Sequence, residues 1–437
     1  MGTLSLVPGK QKWLYLLPTK GKLMPFAFLF LVLLAIPGKS AAYSVLTHEA
    51  LIDANWDKTI LPALKQKYPS ATEEDLKKAR AFAYGGAVAP DMGYYPFGSK
   101  LFTNLVHYVR SGDFVQSLLD EQKSLTDYAF ALGALCHYMA DTYGHPLGTN
   151  RSAPIIYPEV GRKFGPVVTY AEDKTSHLRT EFGFDVLQTA RGNYASQTYH
   201  NYIGFSVADT LLMTAFQKTY GLELKTVFPK LSLAIGTFRW SVKNLFPSIT
   251  RAAWVMKKKD IRKSQPRAHS RDFIYRMHRK QYNHEFGSER ERTGVFAHIL
   301  SYFIRILPKV GPLKALKFKT PGPEAEKLFV QSFDTVLYHY TVFVTDRMPH
   351  SHHLPDIDFD TGKKTLFGEY PLCDDTYRSL LLKLKENDFA SADERLKQNI
   401  LAFYNQVPIR KAAEKEKEQE ELSEALNALR GIVGMVK

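Results

Sequence analysis

Apolar residues recur at helical spacing along most of the chain, and the alternation typical of strands is almost absent. Glycine-, proline- and tyrosine-rich loops separate the helical segments at 90–99, 144–166 and 349–371. The sequence therefore predicts an all-α fold. The predicted helices are Thr47–Ala54, Glu73–Val88 with Thr72 as its cap, Phe114–Leu119, Leu125–Tyr143, Lys174–Ala190, Ser206–Tyr220, Lys230–Lys257 with a break near Pro247, Glu324–Phe343, Thr376–Leu384 and Ser391–Tyr404.

The first 42 residues differ from the rest of the chain. Lysines precede an uncharged run of 15 residues, Leu23–Pro37, and the small residues Ser40, Ala41 and Ala42 follow it. This order predicts a signal peptide over residues 1–42, cleaved after Ala42, and hence an exported protein, secreted or periplasmic. An uncleaved membrane anchor is the alternative, but the run is shorter than the roughly 18–20 apolar residues that span a bilayer.

Charge is distributed unevenly along the chain. Loss of residues 1–42 removes five lysines and no acidic residue, which lowers the formal charge from +14 to +9. Residues 251–320 carry 18 Lys and Arg against five Asp and Glu, and a polar, basic composition begins at Lys257. We therefore expect a main domain over residues 43–256 and a basic, mainly helical C-terminal region over residues 257–437.

The candidate chemistry centres on His137, Asp141 and His145, which are spaced four apart at the end of an apolar predicted helix. On a helix, this spacing keeps the three within an arc of about 80° but separates the outer two by about 12 Å. One tetrahedral ion with bonds of about 2 Å cannot easily bind both histidines, whereas Asp141 has two oxygens and can bridge. The pattern favours more than one metal; the alternative is a surface ion pair.

Each of the other candidate metal ligands is a weaker signal when it is taken alone. His177 and Glu181 repeat the four-residue spacing, Asp91 follows a helix, and His107 has apolar neighbours; by themselves these residues are typical of a surface pair, a turn and a core histidine. If cleavage follows Ala42, the amine and carbonyl oxygen of Tyr43 could chelate a metal together with His48.

Taken in order, these residues resemble the zinc-dependent phospholipase C and P1 nuclease superfamily over roughly residues 43–256. The resemblance implies an all-helical phospholipase C/P1 nuclease-like bundle with a C-terminal helical extension, and three Zn²⁺ ions per chain. It implies ligands Asp91, His107, His137 and Asp141 for the first zinc; His145, His177 and Glu181 for the second; and Tyr43 and His48, with Asp141 as the bridge, for the third.

The sequence departs from the family pattern in two places. Tyr43 stands where the best-known members carry tryptophan, and the Asp141–His145 spacing is shorter than theirs. The shorter spacing is similar to that in other branches, which include glycosylphosphatidylinositol-specific phospholipases. These departures affect the prediction of the substrate more than the prediction that the protein binds zinc.

The resemblance implies phosphodiester hydrolysis by a zinc-activated water, with phospholipid headgroups as the preferred substrate. Asp91 is the catalytic candidate, and Tyr94, Tyr95 and Phe97 are expected to contact the substrate. The basic stretch 251–320 suggests peripheral contact with anionic membrane. Two alternatives stay open: a P1-like single-strand nuclease, whose partner would be nucleic acid, and a non-catalytic, zinc-bound, membrane-associated protein.

We predict that one alanine added before Tyr43 in the mature chain lowers the zinc content by about one ion per chain, because it moves the free amine away from its carbonyl partner. N-terminal sequencing and elemental analysis measure this. Tyr43→Phe is the control, since it keeps both backbone groups. Full zinc content in the extended chain would contradict the prediction.

Overall fold

The computed structural model describes residues 45–191, 193–194, 205–242, 246–264, 316–347, 353–405 and 416–435. Within these ranges the structure is helical, and the only strand-like pairing is an isolated bridge between Ile357 and Lys364. The all-α prediction is confirmed. None of the described helices is long and apolar enough to cross a membrane. The predicted signal peptide, Tyr43 and residues 265–315 of the basic stretch lie outside the described residues.

Seventeen helices, named here in chain order, make up the described part of the chain. They are α1 Val45–Asn55, α2 Leu61–Lys67, α3 Glu73–Val88, α4 Lys100–Tyr108, α5 Ser111–Glu121, α6 Leu125–Gly144, α7 Asn150–Ile156, α8 Pro158–Phe164, α9 Lys174–Arg191, α10 Asp209–Tyr220, α11 Leu224–Val227, α12 Leu231–Trp240, α13 Phe246–Ser264, α14 Pro323–Val342, α15 Pro371–Lys385, α16 Glu394–Asn405 and α17 Glu416–Met435. Short 3₁₀ or π-helical turns occupy Trp56–Ile60, Ala89–Tyr94, His145–Thr149 and Phe343–Arg347.

Local signals fix the ends of several helices. Helix α3 has the predicted bounds, and Thr72 forms a capping box with Asp75 at its start. Helix α4 was not predicted; it begins where the Ser99 hydroxyl accepts a hydrogen bond from the Phe102 amide at 3.3 Å. The predicted loop 144–166 contains α7 and α8, and α8 opens with Pro158, a position that needs no backbone N–H.

Helices α3 and α6 pack backbone to backbone through two glycines. A Cβ on Gly86 would overlap the carbonyl oxygen of Phe130, and a Cβ on Gly133 would overlap that of Ala83. Because no side chain separates the two helices, Ala87 of α3 comes within hydrogen-bonding distance of His137 on α6, at 2.8 Å.

One hydrophobic core connects the two ends of the described chain. Its buried side chains run from Leu46 on α1 to Leu429 on α17, and Tyr340 on α14 donates a hydrogen bond to the carbonyl of Leu132 on α6 at 3.1 Å. A smaller cluster joins Val186 on α9 to Ala252 on α13 and Phe318. The division near residue 256 stays a prediction, but helices on both of its sides share this core. Cys136 and Cys373 are buried free thiols.

We predict that Gly133→Ala lowers the free energy of unfolding by about 1–3 kcal/mol, since the methyl group forces α3 and α6 apart. Urea unfolding measures the change. Gly236→Ala on α12 is the matched control: a Cβ there meets no atom of the described residues within 4 Å, and alanine should stabilise the helix by up to about 1 kcal/mol. A Gly133→Ala protein as stable as the wild type would contradict the close packing.

Candidate metal centre

Six elements bring the predicted ligands together in the interior of the protein. His137 and Asp141 lie on α6, and His145 opens the π-helical turn that continues it. His48 lies on α1, and His177 and Glu181 lie on α9. All eight described candidates are at most 3% exposed: His48, Asp91, His107, His137, Asp141, His145, His177 and Glu181. Tyr43 lies outside the described residues.

Asp91 and His107 are held next to each other by a shared threonine. Asp91 lies in the 3₁₀ turn after α3, and His107 lies near the end of α4. The Thr103 hydroxyl of α4 donates to the carbonyl of Pro90 at 2.8 Å and accepts from the amide of Gly93 at 2.9 Å. The turn that carries Asp91 is therefore fixed against the helix that carries His107.

The first group consists of Asp91, His107, His137 and Asp141. His107 Nε2 lies 3.4 Å from Asp91 Oδ1, 3.5 Å from Asp141 Oδ2 and 3.4 Å from His137 Nε2. His137 Nε2 in turn lies 3.1 Å from Asp141 Oδ2. Ligands of a tetrahedral zinc with bonds of about 2.0–2.2 Å lie about 3.3–3.6 Å apart. The four atoms therefore have nearly the spacing of a zinc coordination shell.

The second and third groups extend from the first. His145 Nε2 and His177 Nε2 lie 3.4 and 2.7 Å from Glu181 Oε1. On the other side, His48 Nε2 lies 3.5 Å from Asp141 Oδ1. Asp141 thus faces the first group with one oxygen and His48 with the other, which is the arrangement that a bridging carboxylate needs. His137 and His145 fall in different groups, in keeping with their separation along the helix.

Backbone carbonyls orient three of the histidines. The Nδ1 atoms of His107 and His137 each lie 2.8 Å from a carbonyl oxygen, of Thr103 and Ala87 respectively. The Nδ1 of His145 lies 3.0 Å from the carbonyl oxygen of Phe359. A carbonyl can only accept, so Nδ1 carries the proton in each neutral ring and Nε2 presents its lone pair to the centre.

The electrostatics of the site follow from its burial. Burial, reinforced by neighbouring His137, holds the pKa of His48 well below its usual value, which keeps that ring available as a neutral ligand. Burial raises the pKa of Asp91. Burial alone would raise the pKa of Asp141 as well, but adjacent His137 and His145 hold it below its usual range.

The residues fit zinc in a further respect. Several buried oxygens and nitrogens at the centre have no hydrogen-bond partner among the described residues: Asp91 Oδ1, both oxygens of Asp141, His177 Nε2 and Glu181 Oε1. Such atoms cost free energy unless something compensates them. A set of imidazole nitrogens and carboxylate oxygens at this spacing is the donor set that zinc prefers.

The predicted substrate residues occupy different environments. Tyr94 and Tyr95 are each only 5% exposed, whereas Phe97 is 56% exposed. The ring of Tyr95 packs edge-on against Phe238 of α12 at 4.8 Å between centroids. Because Tyr94 and Tyr95 are buried, we expect them to support the turn that carries Asp91. Substrate contact stays a prediction for Tyr94, Tyr95 and Phe97.

Two buried aspartates near the ligands were missed by the sequence reasoning. Asp185 continues the four-residue stripe of His177 and Glu181 on α9, and it accepts hydrogen bonds from the Leu46 amide at 3.2 Å and the Thr47 hydroxyl at 2.8 Å. It thereby anchors the start of α1 beside His48. Because Asp185 continues the four-residue spacing of His177 and Glu181, the sequence could have indicated that it faces the same side of the helix.

Asp360 is the second missed aspartate. It offers a ligand atom within 4.8 Å of one from His145 and one from His177. Its sequence context, Asp356-x-Asp358-x-Asp360, suggests an incomplete calcium loop and gives no sign that histidines lie beside it.

Comparison with known families agrees with this geometry. Residues 47–230 match the family described as zinc dependent phospholipase C. Residues 47–230 therefore form a segment of the zinc-dependent phospholipase C family. The matched residues contain every described ligand candidate from His48 to Glu181. Neither a curated protein nor a solved structure gave a match.

We predict that Asp141→Asn lowers the zinc content by more than one ion per chain, because a single residue serves the first and third groups. Elemental analysis of the purified protein measures this. Asp127→Asn, in the first turn of the same helix, is the control and should retain full zinc. An Asp141→Asn protein with full zinc content would contradict the bridging role.

Proposed function

We propose that this protein is a phospholipase C-type hydrolase that uses three zinc ions to cleave the phosphodiester bond of a phospholipid headgroup. The proposal rests on the spacing of Asp91, His107, His137 and Asp141, which lie within the segment 47–230 that matches the zinc-dependent phospholipase C family. The contact of Asp141 Oδ1 with His48 supports a further ion beside the first.

The proposed division of ligands follows the three groups. Asp91, His107, His137 and Asp141 would hold the first zinc; His145, His177 and Glu181 the second; and His48, Asp141 and the Tyr43 terminus the third. Zinc held by these residues would act as a Lewis acid on the phosphodiester and would make water nucleophilic near neutral pH.

The chain's own residues supply position and proton transfer. The carbonyls of Thr103, Ala87 and Phe359 keep the histidine rings in the ligand tautomer. Asp91 faces His107 with Oδ1 and lies in a turn at the edge of the centre. We propose that its carboxylate also orients the attacking water and takes its proton.

The substrate surface is proposed to begin at Phe97, next to the Asp91 turn. Phe97 is 56% exposed, and the neighbouring carbonyl of Pro96 accepts a hydrogen bond from Thr237 of α12 at 2.6 Å. An exposed aromatic ring on a fixed loop suits the interfacial part of a phospholipid. Peripheral membrane contact through the basic stretch 251–320 also stays a proposal.

We expect the zinc-loaded full chain to release phosphorylated headgroups from phospholipid vesicles. Asp91→Asn should lower kcat/KM on the order of 100-fold, since it removes a proton acceptor beside the proposed first zinc. Headgroup release and diacylglycerol formation are measured in parallel, and Asp127→Asn is the control with unchanged activity.

The same preparations are assayed on single-stranded DNA and RNA. Cleavage of nucleic acid that exceeds headgroup release by orders of magnitude would replace the phospholipase proposal with the nuclease alternative. Full zinc content with no cleavage of either substrate class would favour the non-catalytic alternative.

A further inference from the structure

Residues 354–370, termed here the closing segment, contact α5 and also α6, the helix that carries His137 and Asp141 of the proposed first zinc site. The Tyr138 hydroxyl of α6 donates to the carbonyl of Pro355 at 2.7 Å, and the Ser111 hydroxyl of α5 donates to that of Ile357 at 2.6 Å. This segment lies more than a hundred residues beyond the end of the family match at residue 230.

Two glycines bring the closing segment into backbone contact with these helices. A Cβ on Gly112 of α5 would overlap the carbonyl oxygens of Leu354 and Pro355. Gly362, in the left-handed region with φ of 68°, would place a Cβ 2.6 Å from the Thr142 carbonyl oxygen on α6. The segment is therefore held directly against the backbone of α5 and α6.

Phe359 connects the closing segment to histidines of two groups. Its amide donates to the carbonyl of His107 at 3.3 Å, and its ring centroid lies 5.0 Å from that of His107. Its carbonyl lies 3.0 Å from Nδ1 of His145, as described above. One residue of the C-terminal region thus contacts ligands of the first and second zinc groups.

Asp360 reinforces the second of these contacts. Its Oδ1 lies 3.4 Å from His145 Nδ1, on the opposite edge of the ring from the Nε2 that faces Glu181. Its Oδ2 accepts hydrogen bonds from the hydroxyls of Tyr108, at 2.9 Å, and Tyr370. Asp360 is 2% exposed. Its carboxylate is fixed by His145, Tyr108 and Tyr370.

We infer that Asp360 is a positioning residue of the second zinc site: its carboxylate fixes His145 from the Nδ1 side, so that Nε2 points at the ion. The inference rests on the proposed zinc centre. Because Nδ1 faces Asp360 while Nε2 faces Glu181, Asp360 acts through the imidazole ring. Carboxylate–histidine–zinc contacts of this kind orient the ring and raise its basicity, and their loss typically weakens metal affinity about 10–100-fold.

The test is zinc affinity of the full chain, measured site by site through competition with a chromophoric chelator. Asp360→Asn should weaken one of the bound ions about 10–100-fold and leave the others unchanged. Cobalt substituted at that site should show the wild-type number of ligands in its visible spectrum, since Asp360 itself does not bind the metal.

Two control variants separate positioning from folding. Asp356→Asn alters a partly buried carboxylate of the closing segment, which accepts a hydrogen bond from the Asp113 amide at 3.1 Å. Tyr370→Phe removes one hydrogen bond to Asp360 but keeps its carboxylate. Both variants should lower the Tm of the zinc-free chain as much as Asp360→Asn does, while zinc affinity stays within a few-fold of the wild type.

Equal zinc affinity in Asp360→Asn and the wild type would overturn the inference and leave the zinc centre in place. A loss of all ions together, or a cobalt spectrum with one ligand fewer, would also overturn it, in favour of a purely structural role or direct coordination. A wild-type chain that binds no zinc would instead overturn the zinc centre itself, and this inference with it.

Discussion

A fully buried carboxylate at the crossing of several helices is the constraint on which the structure depends. Asp141 lies within 3.5 Å of the Nε2 atoms of His48, His107 and His137, and its side chain is inaccessible to solvent. A buried charge is costly unless opposite charge compensates it. The donor atoms around Asp141 lie at the spacing of metal ligands, so metal ions bound there would supply that charge and help to hold α1, α4 and α6 together.

The same four-residue spacing places donor atoms on two different helices. Four-residue spacing puts His137, Asp141 and His145 along α6 and the turn that continues it, and His177, Glu181 and Asp185 along α9. The first three residues all belong to the proposed metal groups, whereas on α9 only His177 and Glu181 do and Asp185 bonds to α1. Asp185 binds the start of α1, and the α3–α6 glycine contact brings the Ala87 carbonyl to His137.

The C-terminal region belongs to the same physical unit as the metal centre. Tyr340 donates a hydrogen bond to the carbonyl of Leu132 on α6. Phe359 of the closing segment contacts His107 and His145. The family match ends at residue 230, but the polar environment of its ligands continues to Asp360. The residues that surround the candidate metal centre therefore include a segment that composition alone assigned to a separate basic region.

The sequence by itself determined the helical class, the bounds of α3 and the ligand stripes of α6 and α9, because these features depend on residues only a few positions apart. Tertiary structure alone decided which histidines share a group, the burial of Tyr94 and Tyr95, and the role of the closing segment. The bond between His145 and Phe359 joins residues 214 positions apart. Periodicity carries no information about such a contact, because it forms only when helices distant in sequence pack into one core.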